Sequence, residues 1–511
     1  MKVTPQGIFI RALSPKGLYY GIATLIQLTE DKPLRAVRIV DWPSFGMRGV
    51  HLDLKVQMPK TSYLHDLTRR LSLYKVNTLL IEYEDKFPYR RHSDICSEAA
   101  FAPEELRELL DYARKHHMTL VPLIQSLGHM EYVLRHDTYR SLREKPNDIS
   151  QMCPLNPGSK QLFRDFFAEV LEFHARDKFF HIGGDETWVL GSCPRCRKRV
   201  EEVGFSGLYI EYMNEICDLV QKAGKTPVIW SDMLSNHPEA IDRFPKDAVI
   251  NYWDYWSQGE CMPFVIWNAK RYTMENLTEV PEHIRKIYDP YWFKSERATE
   301  FKSFPYLDFF LDNGYSVISS PATRSSGDSY NFPSYLTHIP NIVGFAKASA
   351  GKTPGIICTS WAIRRGHPET TFYGLVCAAE TMWNPDDFLQ SDFDNRFAAE
   401  FFGLNSSEVI QAFYLLSRTD PFGRPFPYKD AVERAKKALA LIEDVSPCVR
   451  RNLQTWEHIK LAGYLCVYET ATRLQISMLE GQIRELLKKT IKDPDVPNEV
   501  EVKVRAPWLM K

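Results

Sequence analysis

Two adjacent carboxylates, Asp185 and Glu186, follow the run Phe179-Phe180-His181-Ile182-Gly183-Gly184, and Trp188 lies two residues beyond them. The apolar run reads as a short buried strand. The glycine pair reads as a turn whose backbone passes close to a neighbour. Acids at such a strand end suit general acid chemistry on a glycosidic bond, where the leaving oxygen takes up a proton and the sugar carbon gains positive charge. Adjacent side chains point to opposite faces of a regular strand, so the backbone must bend to bring both into one pocket. Adjacent acids are also poorly placed to flank a bond as separate nucleophile and acid. They fit a different division of labour. One protonates the leaving oxygen, and the other holds a 2-acetamido group of the substrate that itself attacks the sugar carbon.

Other residues could serve that chemistry. His129, in Ser126-Leu127-Gly128-His129, could join an acid from the second strand in a relay that tunes Glu186. Trp230, Trp253 and Trp361 each follow an apolar run and could line a pocket for an acetamido methyl. Histidines 51, 129 and 181 with nearby acids raise a metal-dependent hydrolase as an alternative, but no His-x-His pair follows the first strand. No cofactor or catalytic metal is therefore expected. Cys193-Pro194-Arg195-Cys196 is half of a zinc site, which Cys96 and Cys153 together could complete; reduced thiols in a tight turn are the simpler expectation.

Eight short β-rich runs must position these residues: Gly49–Leu54, Thr78–Tyr83, Thr119–Ile124, Lys178–Ile182, Thr226–Trp230, Ala248–Trp253, Tyr315–Ser319 and Gly355–Thr359. They are near-continuous apolar runs, as parallel strands covered on both faces are. Amphipathic stretches at Tyr63–Tyr74, Pro103–His116, Ser159–Arg176, Gly207–Ala223 and Pro333–Ala350 alternate with them. The alternation predicts an α/β fold, a (β/α)8 TIM barrel, whose functional groups gather at the C-terminal ends of the strands. Residues 1–40 predict one strand and one helix docked on the barrel at 41–390. Residues 391–511 predict a helical C-terminal region with a polar tail from Asp493. The insertion Gly259–Tyr306 is charged and aromatic and could shape a substrate entrance.

The chain of 511 residues carries a formal net charge of -1, which gives no basic excess for nucleic acid or an anionic membrane. No apolar run is long enough for a membrane span, and the N-terminus lacks the apolar core of a signal peptide. Ten cysteines, mostly single and inside apolar runs, predict a reducing, cytoplasmic setting. A glycan or glycoconjugate is the expected partner, and a second copy of the chain is a candidate one.

These residues resemble the β-N-acetylhexosaminidases of glycoside hydrolase family 20, and within it the intracellular hexosaminidase D type. His181-Ile182-Gly183-Gly184-Asp185-Glu186 matches the family signature H-x-G-G-D-E. Met47 to Asp53, after Asp41-Trp42-Pro43, is similar to the opening barrel strand, and Ile81 to Tyr89 to strand two. Gly17 to Leu28 resembles the last helix of a small α/β domain that precedes the barrel, of which residues 1–40 would be a remnant. The resemblance implies a retaining exo-enzyme that removes terminal β-linked GlcNAc or GalNAc. It makes Glu186 the general acid/base and Asp185 the group that orients the acetamide. It implies Arg48 on sugar hydroxyls, His129 with Glu84 or Asp85 behind Glu186, and Trp230, Trp253 and Trp361 around the acetamide. The chain departs from the family at Asp53-Leu54-Lys55-Val56, where D-x-x-R is usual, and at Ala362-Ile363-Arg364, where an acid is usual after the tryptophan. Tyr252-Trp253-Asp254, Tyr255 and Ser326 to Tyr330 are competing candidates for the family's Tyr-x-Asp. A barrel protein that binds sugars without cleaving them is the alternative from another class.

Overall fold

The computed structural model describes residues 1–29, 33–295, 297–325, 328, 332–362, 366–417 and 428–490. Two compact units emerge: Met1–Ser325 with Thr337–Arg364 and Gly374–Phe388, and Ser326–Leu336 with Arg365–Tyr373 and Leu389–Lys511. The first unit contains the barrel. Its strands are β1 Met47–Asp53, β2 Thr78–Glu82, β3 Thr119–Leu123, β4 Phe179–His181, β5 Thr226–Trp230, β6 Val249–Trp253, β7 Ser316–Ser320 and β8 Gly355–Ser360. Neighbours pair in parallel in chain order, β8 pairs β1 through Ile357 and Gly49, and β7 pairs β8 through Ser319 and Ile356, which closes the ring. Each predicted strand is present, within two residues at either end. Continuous burial explains why: β2 is buried at every position, as expected where helices cover one face and the barrel core the other.

The helices are α1 Pro15–Thr29, α2 Thr61–Leu73, α3 Pro103–Lys115, α4 Pro157–Phe173, α5 Pro194–Lys222, α6 Pro305–Asp312, α7 Tyr335–Ser349 and α8 Phe372–Trp383. In α3, Pro103 occupies the first turn with Glu104 and Glu105, where the missing N–H costs nothing and acids meet the positive helix end. Helix α5 begins earlier than the periodicity predicts and kinks at Gly204, whose φ of 75° only glycine adopts freely. After β5 come only the short helix Asp232–Asn236 and a 3-10 turn at Pro238–Arg243.

Residues before the barrel form more than the predicted strand and helix. Lys2–Thr4, Gly7–Phe9 and Val37–Arg38 make a three-stranded antiparallel sheet. Helix α1 docks on α2 through the Tyr19 and Ser72 hydroxyls, 2.7 Å apart, and through Gln27, whose amide donates to Leu73 O. The insertion folds into two short strand pairs and a helix, Glu282–Trp292. In the second unit, helices Glu408–Leu416, Tyr428–Val445 and Leu453–Thr490 match the predicted helical run. Rings of Tyr335, Tyr373, Phe397 and Phe413 form its core. The tail from Asp493 lies outside the described residues. No described helix is long and apolar enough to cross a membrane.

The barrel interior is a packed layer of Leu80, Val121, Leu123, Val228, Trp230, Val249, Ile318 and Ile357. Met47, Phe179, Trp253 and Trp361 pack against it. Gly49 is the thin point between β1 and β8, since a Cβ there would lie 2.6 Å from Ile357 Cγ1. Gly49→Ala is expected to destabilise the barrel by about 1–3 kcal/mol in a denaturant titration, the usual cost of overpacking; an unchanged midpoint would contradict this packing.

Candidate active site

At the end of β4 the backbone turns sharply. Gly183 and Gly184 adopt φ of 65° and 90°, and Glu186 follows at φ 48°. A Cβ at Gly183 would collide with the Gln125 side chain, and one at Gly184 would lie 2.9 Å from Met213 Cε. The turn also passes against the loop after β3, where a Cβ on Gly128 would strike the Asp185 carbonyl. His129 (φ 52°) and Glu84 (φ 44°) share the left-handed conformation of Glu186. Non-glycine residues enter that region at a cost of about 1 kcal/mol or more, and surrounding structure must hold them there. Three of them thus sit on the loops that end β2, β3 and β4.

The bend does what the sequence required of it. His129 Nε2 lies 3.2 Å from Asp185 Oδ2 and 3.4 Å from Glu186 Oε2, so both acids reach one imidazole. Asp185 is buried, and its Oδ1 has no hydrogen-bond partner. The Glu186 side chain is 43% exposed. The Glu186 backbone N–H donates to Asp232 Oδ2 (2.9 Å), and Trp253 Nε1–H to Asp232 Oδ1 (3.4 Å). Burial alone would pull the His129 pKa down; the Asp185 charge and bonds to both acids outweigh it and push it up to about 12. An imidazolium therefore sits between the paired carboxylates. His181 goes the other way. Burial takes it down to about 3, so the ring is neutral and Nδ1 accepts the Gly183 N–H at 3.1 Å.

The tryptophans line one side. Trp230 is fully buried against His181, ring centroids 4.5 Å apart, and its Nε1–H is unpartnered. Trp361 lies 5.8 Å from Trp230 and 4.7 Å from His51. Trp361 Nε1–H donates to the Tyr255 hydroxyl (2.9 Å), and Tyr255 stacks on Trp253 at 5.1 Å. Among the tyrosine candidates, Tyr255 is thus the one joined to these tryptophans. Tyr252 turns outward to Tyr306, Phe310 and Phe345, and donates to Asp254. Ser326, Gly327, Ser329 and Tyr330 lie outside the described residues.

Two expected neighbours are elsewhere. Arg48 faces out of the barrel because β1 alternates, with Gly49, His51 and Asp53 inward. Its Nε–H donates to Lys75 O and Nη1–H to Phe45 O, and the guanidinium lies over Tyr20 and Trp383. The structure does not bring it to the acid pair. Within hydrogen-bond reach of His129 are Asp185 and Glu186 rather than Glu84. Glu84 stands instead in the field of Lys55, Glu82, Asp53 and Glu131, and Asp85 pairs with Lys86 and Arg135.

The sequence places Glu82 at a strand end and marks Lys55 as a departure from D-x-x-R, but it gives neither a role and does not pair them. Lys55 Nζ lies 3.4 Å from Asp53 Oδ2, 3.2 Å from Glu82 Oε2 and 4.6 Å from the Trp361 ring centroid. Glu82 also meets His51 Nε2 at 3.1 Å and accepts from Gln125. Burial opposes ionisation of Glu82, yet Lys55 and His51 hold its carboxyl well below the usual range. The available signal was the two-residue spacing of Asp53, the last residue of β1, and Lys55 just beyond it, which in extended chain keeps both on one side. His51, Asp53 and His181 do not gather into a metal-ligand set among the described residues. Of the cysteines considered as partners for Cys193 and Cys196, Cys153 lies beside them, while the Cys96 thiol bonds Phe87 O and Tyr89 O.

Comparison with known proteins matches residues 45–265 to glycosyl hydrolase family 20, catalytic domain. That segment, under half of the chain, is thus similar to the catalytic domain of the family, and the fold and the strand-four acid pair fit it. Its relatives include proteins named hexosaminidase D. The bovine one is 33% identical over 217 residues, 41% of this chain and 63% of that protein. The human one is 36% identical over 222 residues, 41% of this chain and 45% of that protein. The matched segment thus spans about half to under two thirds of these relatives. A β-N-acetylhexosaminidase from Bacteroides fragilis shares the fold at TM-score 0.57 and 19% identity, over 78% of this chain and 79% of that one.

Two carboxyls near the pair should leave a pH signature. Burial pushes Glu84 up to about 8. Burial, with the Asp185 charge behind it, takes Asp232 to about 8 as well. A carboxyl raised on folding stabilises fully below its unfolded pKa and loses that contribution as pH climbs through the folded value. The melting temperature should therefore fall between roughly pH 5 and pH 8 on their account. Glu84→Gln should flatten that fall; a slope equal to wild type would contradict the assignment.

Proposed function

We propose that the protein is a retaining exo-β-N-acetylhexosaminidase that removes terminal β-linked GlcNAc or GalNAc from a glycan or glycoconjugate by substrate-assisted catalysis. The observation that carries this reading is the buried, unpartnered Oδ1 of Asp185 beside a half-exposed Glu186, with His129 reaching both acids. An acetamide N–H satisfies that oxygen, and the bond turns the acetamide carbonyl oxygen toward the anomeric carbon. Glu186 gives its proton to the glycosidic oxygen as the carbonyl oxygen forms a bond to the anomeric carbon and the glycosidic bond breaks. The product is an oxazolinium ion, whose positive charge faces Asp185. Glu186, now a carboxylate, takes a proton from water as the water oxygen opens the ring from the same face the aglycone left. Two inversions give net retention.

Trp230, Trp253 and Trp361 enclose the acetamide methyl in this reading. The Tyr255 hydroxyl, which already accepts from Trp361, keeps its proton to donate to the acetamide carbonyl. Lys55 takes the hydroxyl-binding role first expected of Arg48. The ten cysteines, mostly single and inside apolar runs of the sequence, support a cytoplasmic, reducing setting. A homodimer stays a candidate assembly, and sedimentation decides it.

Glu186→Gln is expected to lower kcat on an aryl β-GlcNAc or β-GalNAc glycoside by at least about a hundredfold, the usual weight of general acid catalysis. Near-full turnover would overturn the assignment. Tyr255→Phe should lower kcat/KM on the same substrates by about tenfold or more while the fold is kept, since one donor to a developing charge is lost. Equal kcat/KM in the two proteins would remove Tyr255 from the site.

A further inference from the structure

A second cluster of chemically able groups lies outside the acid pair. Cys153 Sγ is 3.6 Å from Cys193 Sγ and 3.5 Å from Cys196 Sγ. Ligand atoms of Glu144, Cys153, Cys193 and Cys196 all fall within 4.8 Å of one another. Glu144, Cys153 and Cys196 are buried. Glu144 Oε1 accepts the Cys193 backbone N–H (3.0 Å), but its Oε2 is buried with no hydrogen-bond partner. A carboxylate oxygen sealed from water beside three thiols costs free energy unless a cation meets it.

We propose that Glu144, Cys153, Cys193 and Cys196 form a structural site for one soft divalent cation, zinc. Tetrahedral zinc holds thiolates at about 2.3 Å, which places sulfurs roughly 3.8 Å apart, close to the spacing seen. Three sulfurs favour zinc over calcium or magnesium, which take oxygen ligands. The local backbone is built to present them. The Cys196 N–H donates to Cys193 Sγ (3.4 Å), a turn that fixes two thiols on one side. Cys193 caps helix α5 and Cys196 lies in its first turn, where the helix dipole favours thiolates. Bonds from Cys153 N–H to Leu142 O and from Glu144 N–H to Gln151 O, with a bridge between Arg143 and Met152, hold the other two ligands. On binding, each thiol releases its proton to solvent and its sulfur lone pair bonds the metal.

The site joins two loops that matter elsewhere. Glu144 and Cys153 lie on the loop that follows His129, and Cys193 and Cys196 lie at the start of helix α5, where the loop that follows Asp185 and Glu186 ends. Those loops already touch where the Val189 N–H donates to Gln151 Oε1 (3.1 Å). The metal would pin them together without taking part in any proton transfer.

The test uses the full chain produced with zinc and dialysed exhaustively. Elemental analysis should find close to one zinc per chain, and cobalt(II) put in its place should give a thiolate charge-transfer band with tetrahedral visible bands. A strong chelator should lower the melting temperature. Cysteine substitutions risk misfolding, so Glu144→Gln is the milder variant. It should weaken retention against a competing chelator at least about tenfold, no less than loss of an outer-sphere partner does. Protein free of metal whose thiols react alike with and without zinc would overturn the site, as would a disulfide from Cys153 to Cys193 or Cys196. These readouts are metal content and melting, so a protein without glycosidase activity would leave the test intact.

Discussion

The imidazolium of His129 is the interaction on which the rest of the site depends. Two carboxylates adjacent in sequence would repel one another in an enclosed place. His129 meets both paired acids at 3.2 and 3.4 Å and keeps its charge through neutral pH. With that charge present, Asp185 can be buried while one of its oxygens stays unpartnered, and Glu186 can stand half in solvent. Remove it, and the bend that makes Glu186 adopt a left-handed conformation would force like charges together with no compensation.

The barrel supplies the stiffness that this arrangement needs. Parallel pairing places the ends of β2, β3 and β4 side by side, so Glu82, Gln125 and the Asp185 turn become neighbours. Below them the aliphatic layer from Leu80 to Ile357 fills the interior. Above it lies a polar layer of His51, Glu82, His181, Asn251 and Ser320, buried and largely bonded to one another. The acids are thus mounted on a dry floor, where a fixed hydrogen bond or charge counts for more than in water.

Much of this was legible in the sequence because of that burial. Strands covered on both faces are mainly apolar, and the eight runs are near-continuously so, with polar breaks such as His51, Asp53 and Glu82. The acid pair was legible because two glycines before two acids serve no ordinary strand. The Arg48 placement failed for a reason of parity: one residue along β1 reverses the face, and the sequence carries no marker for which face is inward. The pairing of Lys55 with Glu82 was not legible because it crosses two strands. The sheet at Lys2–Arg38 was missed because its strands are two or three residues long, too short for any period to show. Glu144, on a loop, has no periodic setting at all, and only its approach to three cysteines in space gives it meaning.

The central claim is that the substrate's own acetamide is the nucleophile. The most direct measurement is inhibition by a thiazoline that mimics the oxazolinium intermediate, compared between wild type and Asp185→Ala on paired aryl β-GlcNAc and β-GalNAc substrates. Substrate assistance requires competitive inhibition of the wild type that is tighter than binding of the substrate, and its loss by at least about a hundredfold in the variant, since a transition-state-like ligand depends most on the group that stabilises it. Equal inhibition of both proteins, or cleavage of glycosides that lack the acetamido group at the same rate, would contradict it.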